Sequence, residues 1–524
     1  MGTGTLRGVA RSAVGVVPLV LVPALGAVQG GFQPHAWVWA GALAAWAGAL
    51  AVVLTDDPGG LRRAWPWLVA ASTLLAWTIV SALWSVRLAQ SVLEARRMVV
   101  YAATVLTLVV LARTDATRVL VAATNVAVSG LVLYALARYL LGPRRVEFEG
   151  YLLSQPLGYA NAVGILAVIG ILLGIGIASG SGSRLAGVGA AATVPLLALA
   201  LELSGSDASW LALAVGLATM VVLQPAPRRL LRVAAALVPL SALVAWLGHH
   251  SGLAAAGTSP PRLAGALVAL VAAGCAAVAA VVAAWLHEPE GLGWSLRRRI
   301  VAVAVVVCVA AVGALVVGRA GARQPRSSYF HVAWHDQYRA HPLFGSGAGT
   351  FGHYWERSGL IPRWGGALDA HSLYLETLAE LGPLGLLLLL AFLLFPLRDA
   401  VARRRVPYVP AATGAYAAFL VHAGLDWDWE LPAVVVAGLA CGAAVLLDTG
   451  GQDRRLHRAA RVAVLVIALA LGASAIAGAR SRTEPSAALR TTKAPQGGTF
   501  VNPVSVRVGY LPWWPWSWPP LPLP

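Results

Sequence analysis

Apolar windows of about 17–25 residues, the length a helix needs to cross a bilayer, recur along almost the whole chain. They fall near 12–30, 35–54, 65–84, 97–112, 118–141, 158–178, 185–203, 209–223, 230–248, 263–286, 300–318, 372–396, 409–424, 431–447 and 460–479. Backbone in lipid must satisfy its own hydrogen bonds, so such windows close into helices and not into open sheets. Composition points the same way. Of 524 residues, 58% are hydrophobic and only 12% charged, more apolar surface than a soluble domain can bury. The expected fold is all-α, a polytopic integral membrane bundle of about 12–15 transmembrane helices. Four regions divide the chain: helices over 1–318, a large polar loop over 319–371, helices over 372–479 and a Pro/Trp-rich tail over 480–524. The first apolar window follows Arg7 and Arg11 as a signal peptide would, but with so many spans behind it we read it as an uncleaved first helix.

The formal net charge of +17 would suit a nucleic-acid binder if it formed one patch. Its distribution excludes that partner. With the N-terminus inside, Arg62, Arg63, Arg113, Arg118, Arg184, Arg228, Arg229, Arg232, Arg297, Arg298, Arg299, Arg398, Arg403, Arg404, Arg405, Arg454, Arg455, Arg458 and Arg461 fall on the cytoplasmic side. The short loops opposite hold only Arg87, Arg96, Arg97, Arg144, Arg145 and Arg262. This is the positive-inside asymmetry, and the basic balance reports orientation. Cys275, Cys308 and Cys441 all lie in apolar windows and read as core residues, with neither disulfide nor metal spacing.

The same orientation sends the loop 319–371, Ser204–Ser209, His422–Glu430 and the tail to the outer face. The unusual polar residues therefore converge on one side of the membrane. In the row from Asp369 to Gly385, His371 stands at the entrance of an apolar helix, Tyr374 lies one turn on, and Glu376 and Glu380 share a face. Gly382, Pro383 and Gly385 then interrupt that helix, allowing a bend or a close backbone approach. A lone histidine at a helix start is more often structural. A neutral imidazole there can also take the proton of an attacking hydroxyl.

Arg326 opens the ordered part of the polar loop, and a guanidinium suits a pyrophosphate because it is planar, always charged and bidentate. Gly345, Gly347 and Gly349 are spaced G-x-G-x-G without a preceding strand, which reads as a tight turn packed on the bundle and not as a dinucleotide site. His331 and His335 are spaced for a metal, yet no third ligand completes a pattern. Asp426, Asp428 and Glu430 alternate with Trp427 and Trp429 as an outward acidic cluster. That cluster reads either as a solvated interfacial loop or as a sugar site, where rings stack on pyranoses and carboxylates accept hydroxyl hydrogen bonds. The stretch Leu511–Pro520 reads as an interfacial or disordered tail.

Pro342-Leu343-Phe344-Gly345-Ser346-Gly347-Ala348-Gly349-Thr350-Phe351, together with His371, Ser372, Tyr374, Leu375, Glu380, Gly382 and Gly385, resembles the O-antigen ligase/polymerase family. Gln155–Gly164 and Asp426–Pro432 are similar to further stretches of that family, and the likeness covers about residues 65–450. It implies a GT-C-like membrane glycosyltransferase on the outer face of the cytoplasmic membrane. The donor it implies is an undecaprenyl-pyrophosphate-linked glycan, the acceptor a glycan or lipid-glycan, with membrane lipid around both. By position it makes His371 the base and Arg326 the pyrophosphate ligand. Arg339, Arg363, Tyr374, Glu380, Asp426 and Asp428 are the expected substrate-binding residues, and no metal or cofactor is implied. One position departs: Asp207 stands where the family commonly has an arginine, and a carboxylate there repels a pyrophosphate. Either another outer arginine (Arg339, Arg363 or Arg323) substitutes, or donor use differs, or activity is weak. A small-solute transporter and an inactive glycan-lipid-binding relative are the rival readings.

Overall fold

The computed structural model describes residues 13–54, 60–113, 115–142, 149–254, 262–286, 326–360, 366–447 and 458–480. These are helical, with no extended strand among the described residues. In chain order the helices are α1 (Val16–Gly26), α2 (Pro34–Leu54), α3 (Leu61–Val80), α4 (Leu88–Leu111), α5 (Ala116–Leu141), α6 (Ala160–Gly180), α7 (Arg184–Ser204), α8 (Asp207–Leu223), α9 (Arg228–His250), α10 (Arg262–Trp285), α11 (Arg326–His331), α12 (Phe351–Arg357), α13 (Leu373–Leu394), α14 (Val409–Ala423), α15 (Pro432–Leu446) and α16 (Arg458–Arg480). Among the described residues, eight helices are long and apolar enough to cross a membrane. That is the makeup of a polytopic membrane bundle. Each expected span falls on a helix except the one near 300–318, which lies outside the described residues, as do Cys308, Arg323, Arg363 and the tail from 481.

Burial separates centre from rim. The apolar stretch of α6 is 94% buried, whereas that of α9 is 28% buried. All residues of α15 are buried too. The peripheral helices instead turn residues such as Trp46, Leu50, Leu54, Leu267 and Leu270 outward, the surface lipid would cover. Small residues let the central helices approach closely: a Cβ at Gly176 would lie 2.3 Å from the Ala411 side chain, and one at Gly216 2.9 Å from the Gly414 carbonyl.

Two features correct the sequence reading. Helix α4 begins at Leu88, well before the window at 97, so Glu94, Arg96 and Arg97 belong to the helix. Arg97 is buried there between Glu94 and Glu430, with Glu430 Oε2 3.0 Å from Nη1, and its guanidinium lies over the Trp429 ring. The acidic cluster is also not outward. Asp426, Asp428 and Glu430 are all buried, because each carboxylate meets a cation or hydrogen-bond donor inside the bundle.

Helix α13 is broken where the sequence placed the interruption: Gly382 has φ 71° and ψ −176° inside it. Pro383 has no N–H, and the break leaves carbonyls of the preceding turn without helical donors. The glycine turn supplies them. Ser346 N donates to Ala379 O at 3.2 Å and Gly347 N to Glu380 O at 2.9 Å, while Trp77 Nε1 donates to Leu381 O at 3.0 Å. Gly345 and Gly347 have φ of +71° and +99°, and a Cβ would lie 2.2 Å from Glu380 backbone and 2.5 Å from Ser85 respectively. Glycine is required there by conformation and by space alike.

Candidate functional site

At one end of the bundle four separated stretches meet: the start of α6, the start of α11, the turn before α13 and the loop between α14 and α15. Asp426, in that last loop, is the hub. It is fully buried. Its Oδ1 accepts from Tyr159 Oη at 2.5 Å and from Trp427 N at 2.8 Å. Its Oδ2 accepts from Asn161 Nδ2 at 2.5 Å and from Arg326 Nη2 at 3.0 Å. Three charge-neutral donors and one guanidinium compensate the buried carboxylate. The Arg326 side chain remains 38% exposed, so one edge of its fork is fixed while the rest faces out.

His371 sits at φ +53°, in the left-handed region that a non-glycine residue seldom occupies. Asp369 holds it there: Oδ1 accepts from His371 N at 3.1 Å and lies 2.7 Å from the ring Nδ1. The next residue, Ser372, is the N-cap of α13, its Oγ accepting from Leu375 N, and Glu376 reaches back to accept from Ala370 N at 2.6 Å. The imidazole lies flat on Tyr329, with centroids 4.1 Å apart and planes within 5°, and Tyr329 stacks in turn on Trp355. Asp369 occupies the Nδ1 side, which leaves Nε2 as the basic nitrogen of the neutral ring.

Burial disfavours the imidazolium, but the Asp369 carboxylate outweighs it and His371 titrates above the ordinary histidine value. Asp426 raises the same titration and Arg326 lowers it, so the two centres lie within electrostatic reach of each other. Burial also pushes the Asp369 carboxyl up, against the opposing pull of His371.

The other expected site residues among those described make contacts within the protein. Glu380 is buried and accepts from Gly349 N at 2.6 Å and Phe351 N at 2.9 Å, fastening the glycine turn to α13 and the start of α12. Tyr374 Oη donates to Leu420 O at 2.8 Å. Asp428 faces the buried His422, with Oδ2 3.0 Å from Nδ1. Arg339 is exposed, its Nη1 3.3 Å from His335 Nδ1. Asp207 occupies the first turn of α8, where a carboxylate complements the helix dipole. His331 and His335 stack at 4.5 Å, and no group of three metal-ligating side chains exists among the described residues.

Sequence reasoning missed Asp369, Tyr329, Tyr159, Asn161, Ser209 and His422 as site members. Tyr159 and Asn161 stood in a quoted motif without a role, and nothing in their spacing pairs them with Asp426, 265 and more positions on. No protein-family model and no curated protein matches this chain.

Proposed function

We propose that this protein is an inverting membrane glycosyltransferase that transfers or polymerises an undecaprenyl-diphosphate-linked glycan. The observation carrying this reading is the placement of a His371–Asp369 pair, mostly buried with the His371 side chain 19% exposed, within electrostatic reach of an Arg326 that Asp426 holds from behind. A base and a fixed guanidinium at one end of a membrane bundle are what a single displacement on a lipid diphosphate requires. The acceptor oxygen attacks the anomeric carbon, its proton passes to His371 Nε2, and the bond to the diphosphate oxygen breaks. The leaving lipid diphosphate takes the electron pair, and Arg326 holds the developing charge. Direct displacement inverts the anomeric centre.

The transporter reading calls for charged residues or broken helices near mid-span. Here Glu94 and Arg97 lie in the first half of α4, Glu376 and Glu380 lie before the break of α13, and the carbonyls at that break are taken by the glycine turn and Trp77 rather than left open to a solute. Those charges gather at one end, which favours chemistry at a surface. The outer face of the cytoplasmic membrane is the location the arginine asymmetry supports.

Reconstitution with undecaprenyl-diphosphate oligosaccharide tests the proposal. A ladder of products identifies a polymerase, and a single addition to an acceptor identifies a ligase. Full turnover by His371→Ala rejects His371 as base. Asp207→Arg raises turnover if the carboxylate at that position weakens diphosphate binding.

A further inference from the structure

We propose that Ser209, His422 and Asp428 form a positioning chain that fixes the loop carrying Asp426 and so aims Arg326; this rests on the reading of Arg326 as the diphosphate ligand. His422, in the last turn of α14, sets Nε2 2.9 Å from Ser209 Oγ on α8 and Nδ1 3.0 Å from Asp428 Oδ2 in the turn Asp428–Glu430. Ser209 Oγ is in turn 2.8 Å from Ser206 Oγ, the N-cap of α8. Helix α8 is thereby joined, across 213 positions, to the end of α14 and the turn that follows it through one ring.

The order serine–imidazole–carboxylate is that of a hydrolase triad. Burial excludes that use. Ser209 and His422 are 0% exposed and Asp428 1%, and Ser209 Oγ packs where a Cβ on Gly164 would lie 2.6 Å away. No substrate carbonyl can reach such a hydroxyl.

What the chain can do is hold. Residue 426 lies between 422 and 428, and both ends of that stretch are fastened by the same ring. Its backbone is closed further by Leu425 N donating to His422 O and Leu431 N to Asp428 O, each at 2.9 Å. The Asp426 carboxylate then points where Tyr159, Asn161 and Arg326 converge on it. The imidazole bridges both neighbours, with Nδ1 facing Asp428 Oδ2 at 3.0 Å and Nε2 meeting the Ser209 hydroxyl at 2.9 Å. This also gives α8 a role in the site although Asp207 brings no positive charge: its first turn contributes a hydroxyl anchor.

The test measures Arg326 directly. The full-length protein in detergent is treated with phenylglyoxal, and modification of Arg326 is followed by mass spectrometry in wild type, Ser209→Ala, Ser209→Thr, His422→Gln and Asp428→Asn. Loss of the chain frees Arg326 from Asp426, so labelling rises several-fold in Ser209→Ala, His422→Gln and Asp428→Asn, and returns toward wild type in Ser209→Thr. Where transfer is measured, the same variants raise the KM for the lipid-diphosphate donor about tenfold and leave the KM for the acceptor unchanged. Wild-type labelling of Arg326 in Ser209→Ala and His422→Gln proteins that melt as wild type does overturns the proposal. So does an equal rise in both KM values, the mark of general loosening. If the wild type transfers no glycan, labelling still decides the chain, and the enzymatic reading fails separately.

Discussion

His371 and His422 each face an aspartate through Nδ1, at 2.7 and 3.0 Å, and both lie within the fields of Asp426 and Arg326. Their surroundings differ. The His371 side chain is 19% exposed and lies flat on an aromatic ring, whereas His422 is 0% exposed and its second nitrogen is taken by Ser209. The first can meet a substrate hydroxyl. The second can only hold protein to protein. The same pair of residue types thus leaves Nε2 open in one case and ties it to a neighbouring helix in the other.

The contrast is broken most directly at the open ring. His371→Ala is expected to lower transfer by about 10²–10⁴ while the melting temperature stays near wild type, and an active His371→Ala protein would remove the distinction. Arg326→Ala follows, with an expected loss on the order of 10²-fold, and Arg326→Lys recovers only part because the bidentate fork is gone. Steady-state rates with the lipid-diphosphate donor measure both.

Glu380→Ala is expected to act on stability. It orphans the buried Phe351 N–H, at about 1–3 kcal/mol, and the part-buried Gly349 N–H, visible as a lower melting temperature in detergent. A variant that instead kept its stability and lost donor binding would return Glu380 to the substrate. Asp369→Asn sharpens the comparison through pH. The active form of His371 is neutral, and its folded titration lies above the ordinary value, so wild-type rate falls as pH drops through that raised point. Removing the carboxylate leaves burial, which favours the neutral ring, with Asp426 and Arg326 opposing one another; the acid limb of the rate profile then moves to lower pH. A limb that stays in place shows that another group sets it. Arg339→Ala is the smallest change expected, within about 0.5 kcal/mol in stability and with transfer near wild type, since its guanidinium meets only the exposed His335 among the contacts described.

Much of the fold could be read in advance because periodic apolar length is a local property. The spans, the break at Gly382 and the turn at Gly345 all follow from residues adjacent in sequence. Reading helix α4 from its first purely apolar stretch failed, since Glu94 and Arg97 neutralise one another and accept burial that hydropathy denies them. The acidic loop after α14 failed for the same reason: its Trp and Asp residues look solvated until their partners arrive from α4, α6, α11 and α14. His371 was found because it stood out beside a helix start, and Asp369, two residues before it, was passed over because only the positive φ at His371 turns the carboxylate onto the ring.

The sequence by itself determined that the chain carries many helices long and apolar enough to cross a membrane, and where one of them breaks. Apolar length, proline and glycine act within a few residues of themselves, and no folding is needed to read them. The tertiary structure decided which charges are buried, that Glu380 fastens a loop, and that Asp426 gathers Tyr159, Asn161 and Arg326. Pairing between groups hundreds of residues apart depends on helix packing, and a carboxylate is tolerated inside the bundle only once that packing has brought its donors to it.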